Sequence, residues 1–556
     1  MKKYNFIIAI LFTFSPIAIV TVFSQTNINI IEKSGDELKM FNARQDFFGG
    51  SYRSAVNKYK EVLKNRPLDG AVHFFLGECY YMMRDYNSAF EFLEKAKSLN
   101  PAAHEDLHLV LGKTYHVKCQ LDKALSEFNE YKKLIGINIK KIKTSDVDMY
   151  IMQCNLAKKL MSTPVNAKVT SIGVQVNSEY DDKGPVLSSD EKFLYFTSRR
   201  PSTDKAKTDK EGDVGFFDDV YETLWDEETK SWTASELMRG PINTEGYDAC
   251  NSISKDGQMM FVYRNNPTEA RGGEIYMSQK STSGKWKTPD ILLKPINTSY
   301  YEDAACISPD GNTLYFVSER PGGLGDGDIW MSKKGPEKNW MEPVNIGAPV
   351  NSSYDENGLF LHPDGKTLFF CSNGPGSMGS YDIFKTTLQN NGKWSTPINL
   401  GYPINSVSME SKFVLSSNNK TAYISSVRDT GLGERDIYVV DMTNYPIMNE
   451  LAASSNPPDK VEMKTQISII KGNVTTVEGK PVSAEIKISD KETGVLIVSA
   501  TSNNNGNYSF ELATKKNYLI EINKNKFQKV SEEFSLPAGK ENQPFILIKN
   551  FVLNKK

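Results

Sequence analysis

The 556-residue sequence has no pair of cysteines spaced as CxxC, no G-x-S-x-G segment, no EF-hand spacing and no basic run. Each absence excludes something. Six cysteines without close pairing (Cys79, Cys119, Cys154, Cys250, Cys306 and Cys371, mostly at apolar-pattern positions) are expected as buried, inert thiols rather than a disulfide framework. The missing G-x-S-x-G removes the nucleophile elbow of serine hydrolases. With 66 Lys and Arg against 68 Asp and Glu, the net charge of −2 supplies no field for nucleic acid and no polybasic patch for an anionic membrane.

Long hydrophobic runs are also missing after the N-terminus. Met1-Lys2-Lys3 is a basic start, Phe6 to Val22 is almost entirely apolar, and Ser24 precedes Gln25. This reads as a secretory signal peptide over residues 1–24. A retained anchor is the alternative, although the run falls short of the about 20 residues that span a bilayer comfortably. The first cysteine is Cys79, so no lipid-accepting thiol stands at the cleavage site. An exported, soluble chain is expected.

What is present is repetition. Tyr52 and Tyr86, Ala55 and Ala89, and Pro67 and Pro101 are each 34 residues apart, and Gly77 and Ala89 return as Gly112 and Ala124. Small residues at fixed steps let paired helices approach closely, which predicts tetratricopeptide (TPR) repeats over 40–162, with Asp146 to Met161 as a capping helix. Inside the third repeat lies His104-Glu105-Asp106-Leu107-His108, the HExxH pattern of zinc peptidases. His116 follows at the wrong spacing for a third ligand, and Leu107, Val110 and Leu111 belong to the apolar helix face. The motif is therefore read as part of a solvated repeat helix with paired polar side chains, not as a catalytic metal site.

A second period is 54. It spaces Trp232, Trp286, Trp340 and Trp394, and also Pro241, Pro295, Pro349 and Pro403, each opening P-[IV]-N. Asp256-Gly257, Asp310-Gly311 and Asp364-Gly365 keep the step, followed by Asn418-Asn419. Four short strands per period with D-G turns predict propeller blades. An earlier copy starts at Tyr180-Asp181, and the last lacks its Trp and P-I-N strand. The orphan Ile172–Asn177 would complete the last blade and leave no exposed edge, giving five blades over 168–444. Six would need strands the sequence does not offer. The tryptophans are expected as packing between blades rather than sugar platforms. Between Arg199 and Asp219 the first copy carries an insertion with Asp204, Lys205, Lys207, Asp209, Lys210 and Glu211, read as a solvated loop or a partner contact. The glycine- and aspartate-rich Gly322–Asp328 is expected to cap backbone amides rather than bind calcium.

Residues 445–464, with Ala452–Pro458, read as a linker. Beyond it, residues 465–550 alternate apolar and polar (Ile467-Ser468-Ile469, Ala484–Ile488, Tyr518-Leu519-Ile520), which predicts a small β-sandwich. The fold class expected is thus multidomain α plus all-β.

The domain order resembles PorE-type cell-envelope proteins associated with type IX secretion. Ile307-Ser308-Pro309-Asp310-Gly311-Asn312-Thr313-Leu314-Tyr315-Phe316-Val317-Ser318 is similar to the WD40-like repeat of Tol-B-related propellers. Gly472, Gly479-Lys480-Pro481-Val482, Thr493-Gly494 and Asn505–Phe510 resemble carboxypeptidase regulatory-like domains. The resemblance implies a periplasmic, outer-membrane-associated accessory of secretion or envelope assembly. Relatives of this type continue into an OmpA-like, peptidoglycan-gripping domain; the sequence stops at Lys556 without one, so retention is expected through a partner protein. The functional expectation is a non-catalytic scaffold that binds envelope proteins through the TPR groove and propeller face, without a catalytic, cofactor or metal residue. The alternatives are a carbohydrate- or peptidoglycan-binding protein and, less favoured, a zinc peptidase using His104–His108.

Overall fold

The computed structural model describes residues 25–137, 144–202, 215–265, 273–335, 337, 339–445, 467–491, 496–513, 516–536 and 546–555. The expected signal peptide, the inserted residues 203–214 and nearly all of the expected linker lie outside them. Two compact units result, residues 1–455 and 456–556.

The first unit begins with seven helices: α1 (Gln25–Phe48), α2 (Tyr52–Asn65), α3 (Gly70–Met82), α4 (Tyr86–Leu99), α5 (Leu107–Val117), α6 (Leu121–Ile137) and α7 (Thr144–Ser162). Helix α1 starts well ahead of the expected residue 40. Asp69 and Asp85 cap α3 and α4 by accepting backbone N–H groups, which fixes where each helix starts. The helices pair as α1 with α2, α3 with α4 and α5 with α6. Glycine is required at the tightest crossings: a Cβ at Gly77 would lie 2.5 Å from Leu93 Cγ, and one at Gly112 2.6 Å from Phe128 Cε1.

Five sheets follow. Their first strands are Asp182–Leu187, Tyr247–Ile253, Glu302–Ile307, Glu356–Leu361 and Glu410–Leu415. Each sheet runs antiparallel from its first strand outward, and the five first strands contact one another in a closed cycle. The fifth sheet takes its outermost strand from the start of the region: Lys168–Ser171 pairs antiparallel with Tyr438–Asp441. That pairing segment lies before the orphan Ile172–Asn177, whose residues instead form the turn after it. Asn177 there does what the P-[IV]-N asparagines do. A carboxamide offers one donor and one acceptor, which match the N–H and C=O of a single strand residue. Asn243 clasps Val220 in this way, Asn297 clasps Ile275, Asn351 clasps Ile329, Asn405 clasps Ile383 and Asn177 clasps Ile437, all at 2.7–3.0 Å.

A second device repeats at the start of each first strand. Asp182, Asp248, Glu302, Glu356 and Glu410 are fully buried. Each accepts the N–H and hydroxyl of a Ser or Thr four residues earlier, from Ser178 to Ser406. Arg200, Arg264, Arg320 and Arg428 reach four of these carboxylates. In the fourth sheet the equivalent position is Gly374, and burial there pushes the Glu356 carboxyl up.

The second unit has two sheets. One is built on Ile467–Thr476, which pairs with Asn507–Ala513 and, in parallel, with Ile546–Ile548 and Phe551–Leu553; the other orders Leu496–Thr501, Glu485–Asp490, Lys516–Asn523 and Val530–Leu536. Ile470, Val474, Ile486, Ile488, Ile520 and Phe551 fill the space between. The last strand carries this unit past the expected end at 550. Gly472 allows the parallel neighbour in, since a Cβ there would overlap Lys549 O at 1.6 Å.

Candidate functional site

The HExxH residues do not share a helix face. Helix α5 starts at Leu107, so His104 and Glu105 sit in the turn before it. The His104 ring stacks on Phe74 with centroids 4.0 Å apart, and its Nδ1 accepts the Asp106 N–H. His108 points inward, and its Nδ1 lies 2.7 Å from Glu127 Oε2, while Lys97 Nζ reaches Glu127 Oε1 at 2.5 Å. Burial would raise the Glu127 carboxyl, but His108 and Lys97 outweigh it and hold it down. The expected solvated face is thus corrected: His108 is buried in an ion network inside the repeats, and only Glu105 is exposed. No group of three or more His, Cys, Asp or Glu is placed to hold a metal among the described residues.

His116 has a different task. Its Nε2 lies 2.9 Å from Met378 O in the fourth sheet's loop, and Gln153 Nε2 of α7 donates to Gly379 O at 2.8 Å. The same two loop residues donate their N–H groups to the buried Asp382 carboxylate, at 2.8 and 3.0 Å. The Met378–Gly379 peptide group is therefore clamped from both sides, its C=O by His116 and its N–H by Asp382, and the two flanking peptide groups are each held on one side. Met378 and Val407 complete the apolar core of the helical repeats, and Tyr402 packs beside them. Arg84 adds a peripheral ion pair with Glu434 at 3.7 Å. These contacts come from the turn after α3, from α5 and from α7. The groove face expected to take a partner is thus filled, toward its C-terminal end, by the chain's own sheet region.

Gly374 fits this reading. An arginine here, as in the other four sheets, would need room beside Tyr354 and Asn373, which line a 220 Å³ cavity with Lys113, His116, Tyr150 and Gln153. Even a Cβ would meet Ser352 Oγ at 2.8 Å. The sequence signal that marks this contact is a glycine at 374, 54 residues after Arg320 and 54 before Arg428.

Burial lowers the pKa of His116 from 6.5 to about 4, with the Met378 carbonyl opposing. The unfolded chain therefore binds the extra proton first as pH falls. The contribution of neutral His116 is complete above 6.5 and is lost as pH drops toward 4, at up to about 3 kcal/mol for a shift of this size. Denaturant melts of wild type and His116→Gln, which retains a donor, should show a steeper loss between pH 6.5 and 4 in wild type. Parallel profiles would remove His116 from the pH response.

A larger opening lies on the axis of the five sheets. It has a volume of 570 Å³ and is lined from all five. All five first strands break register with a bulge just past their buried acid, at Lys183/Val186, Cys250/Ser252, Asp303/Cys306, Asn357/Phe360 and Glu410/Lys412. Bulges re-aim side chains, and here Lys183, Asn251, Asp303, Asn357 and Lys412 line the opening. Its two sides differ. On the first and fifth sheets, Lys183 and Arg199 pair with Asp218 at 2.9 Å, and Arg435 chelates Asp181. Burial opposes ionisation of Asp181, but Arg435 and Lys183 hold its carboxyl well below the usual range. On the third and fourth sheets, burial pushes Asp303, Asp355 and Glu319 up, and Asp355 and Asp326 add to the effect on Glu319. Lys412 is buried at the base and donates to Leu359 O and Asn251 O, at 2.6 and 2.9 Å. Sequence reasoning missed this site. Its signal is variation inside a fixed frame: Lys183, Ala249, Asp303, Asn357 and Ser411 differ while the acid before each is kept.

Five of the six thiols are buried as expected, and burial lifts those of Cys250 and Cys306 to about 12. Cys119 departs from the expectation: it is exposed at the turn after α5, in a left-handed conformation. Trp232 packs edge-on to Tyr423 and Trp394 to Tyr315, each from a neighbouring sheet. Asp328 accepts the Leu324 and Gly325 N–H groups, as expected of a capping aspartate. No helix among the described residues is long and apolar enough to cross a membrane.

Comparison with known proteins bears on the helices. The tetratricopeptide repeat family matches residues 70–103. The BBSome complex member BBS4 of Bos taurus is 33% identical over 95 residues, 17% of this chain and 18% of that protein; the Mus musculus protein is 32% identical over 106 residues, 19% and 20%. The chain thus spans about a fifth of these relatives. Among solved structures, the Lactobacillus brevis alpha-L-arabinofuranosidase is 11% identical over 48% of this chain and 92% of its own, with a TM-score of 0.32. The Penicillium chrysogenum alpha-L-arabinanase is likewise 11% identical, over 50% and 99%, with a TM-score of 0.30. Helices α3 and α4, with the turn that follows them, form a tetratricopeptide repeat, in a chain whose remaining length is mostly β-strand.

Proposed function

We propose that this chain is a non-catalytic adaptor of the cell envelope, acting in the periplasm as an accessory of type IX secretion or envelope assembly. Its tetratricopeptide repeats support protein–protein interaction. The five cyclically arranged sheets are read as a five-bladed β-propeller, and the second unit as a carboxypeptidase regulatory-like sandwich. The observation that carries the adaptor reading is the clamp of His116 and Gln153 on Met378 and Gly379, which makes helices and sheets one body. Its partner surface is the N-terminal end of the repeats, where Leu38, Phe41 and Phe48 are 61%, 61% and 69% exposed along one face of α1. A sugar-binding reading has less support, because Trp232 and Trp394 are spent on contacts between sheets.

The test is a crosslinked pull-down from the envelope fraction, combined with rescue of a deletion strain. Leu38→Ser, Phe41→Ser, Phe48→Ser together should abolish capture and rescue while the melting temperature holds. Glu105→Gln should leave both unchanged; loss of rescue by a folded Glu105→Gln protein would favour the peptidase reading.

A further inference from the structure

We infer that the axial opening binds the cationic end of an extended polypeptide, with an ammonium or guanidinium among Asp303, Glu319 and Asp355 and the adjoining peptide group met by Asn251 and Asn357. This goes beyond the adaptor reading and depends on neither the envelope location nor the partner of α1.

Charge separation comes first. The cations of the first and fifth sheets are already neutralised by Asp181 and Asp218 at 2.5–2.9 Å, so an incoming anion would have to displace a buried carboxylate. Across the opening the order is reversed. Among the described residues, no Lys, Arg or His forms an ion pair with Asp303, Glu319 or Asp355. The Lys412 charge helps hold the Asp303 carboxyl down, but its ammonium donates to two carbonyls. The groups that hold these acids down by hydrogen bonding are neutral: Tyr301, the Ala304 N–H and the Asn251 amide for Asp303, and Tyr381, the Gly327 N–H and the Asn357 amide for Asp355. Carboxyls held up by burial, and in Asp355 and Glu319 by neighbouring acids as well, gain most from a bound cation.

The second observation is polar atoms left over. Asn251 is 8% exposed, and its Nδ2 makes no hydrogen bond of normal geometry, although it lies near enough to Asp303 to help hold that carboxyl down. Asn357 Oδ1 is likewise buried without a partner. Both residues line the opening. A buried donor or acceptor left unsatisfied costs about 1–3 kcal/mol, and one donor with one acceptor is the complement of a peptide group. A metal ion fits less well, because no three acids close around one point among the described residues. A charge with several directional N–H donors, on a chain that supplies C=O and N–H beside it, satisfies both observations.

The test is calorimetric titration of the full chain at low salt with amidated penta-lysine, and with penta-glutamate and calcium chloride as the other arms. Penta-lysine should bind one per chain with Kd of about 0.1 mM. Asp303→Asn with Asp355→Asn should weaken it at least about tenfold, and Glu319→Gln, on the exposed rim, about threefold. If the double variant does not fold, Glu319→Gln decides alone. Unchanged affinity in a folded variant, tighter binding of penta-glutamate, or stoichiometric calcium that blocks penta-lysine would each overturn the assignment.

Discussion

Met378→Asp should separate the helical repeats from the sheets. Met378 is fully buried among helix residues, and it and the adjoining Gly379 carry the two carbonyl contacts of the clamp. A carboxylate there is surrounded by apolar side chains, with the Asp382 carboxylate already holding the Met378 N–H. An uncompensated buried charge costs about 3–5 kcal/mol, more than the peripheral Arg84–Glu434 pair can offset. The expected calorimetric trace gains one transition over wild type, with proteolytic cleavage appearing at residues 163–167, between α7 and the first strand. Met378→Leu conserves volume and should cost less than about 1.5 kcal/mol. A Met378→Asp trace identical to wild type would mean that the contact holds nothing together.

The second large effect is expected at the junction of first and last strands. Asn177→Ala leaves the N–H of Ile437 without its partner, while the Ile437 C=O keeps the Ile172 N–H at 3.1 Å. At about 1–3 kcal/mol for one buried group, the loss should match that of Asn297→Ala inside the second sheet, where the Ile275 C=O likewise keeps the Leu292 N–H. A chain beginning at Ser178 loses the pairing strand entirely, and should aggregate or melt well below one beginning at Lys168. Both lack the helices, so their comparison isolates residues 168–177, the strand together with the Asn177 clasp. Equal melting temperatures, or an Asn177→Ala protein as stable as wild type, would contradict the pairing of Lys168–Ser171 with Tyr438–Asp441.

The periodic parts of this molecule were legible because periodicity is set by local geometry. Tyr52 and Tyr86, or Pro295 and Pro349, repeat because identical backbone units stack, and the asparagine after each proline repeats because each unit needs the same two hydrogen bonds closed. The same logic located the orphan segment, although the pairing strand lies before it; Lys168–Ser171 has no apolar pattern of its own to announce a strand. His104–His108 misleads for a related reason. Five letters carry the spacing of a helix face, but the turn after Pro101 delays the helix to Leu107, and only the tertiary position of Glu127 shows where His108 points. The clamp and the axial opening are non-local: His116 meets Met378 across 262 positions, and Lys183 shares a cavity with Asp355. No period connects such residues. What the sequence does show is where a repeat stops agreeing with itself, at Gly374 and at the residue after each buried acid.

The strand Lys168–Ser171 also sets an order of assembly. It is synthesised before every one of the five sheets, yet its partner Tyr438–Asp441 belongs to the last of them. During synthesis Lys168–Ser171 therefore stays unpaired until nearly the whole region has emerged, and the last sheet has an open edge until the strand joins it; such edges are where chains join one another. The helices, complete long before, already carry the end of the strand that the ring waits for, tethered by only a few residues after Ser162. A chain that delivers its closing piece from a prefolded neighbour shortens the search for it, because the strand arrives at high local concentration rather than as a free terminus. Lengthening the segment at residues 163–167 should accordingly slow refolding of the ring while leaving its equilibrium stability nearly unchanged.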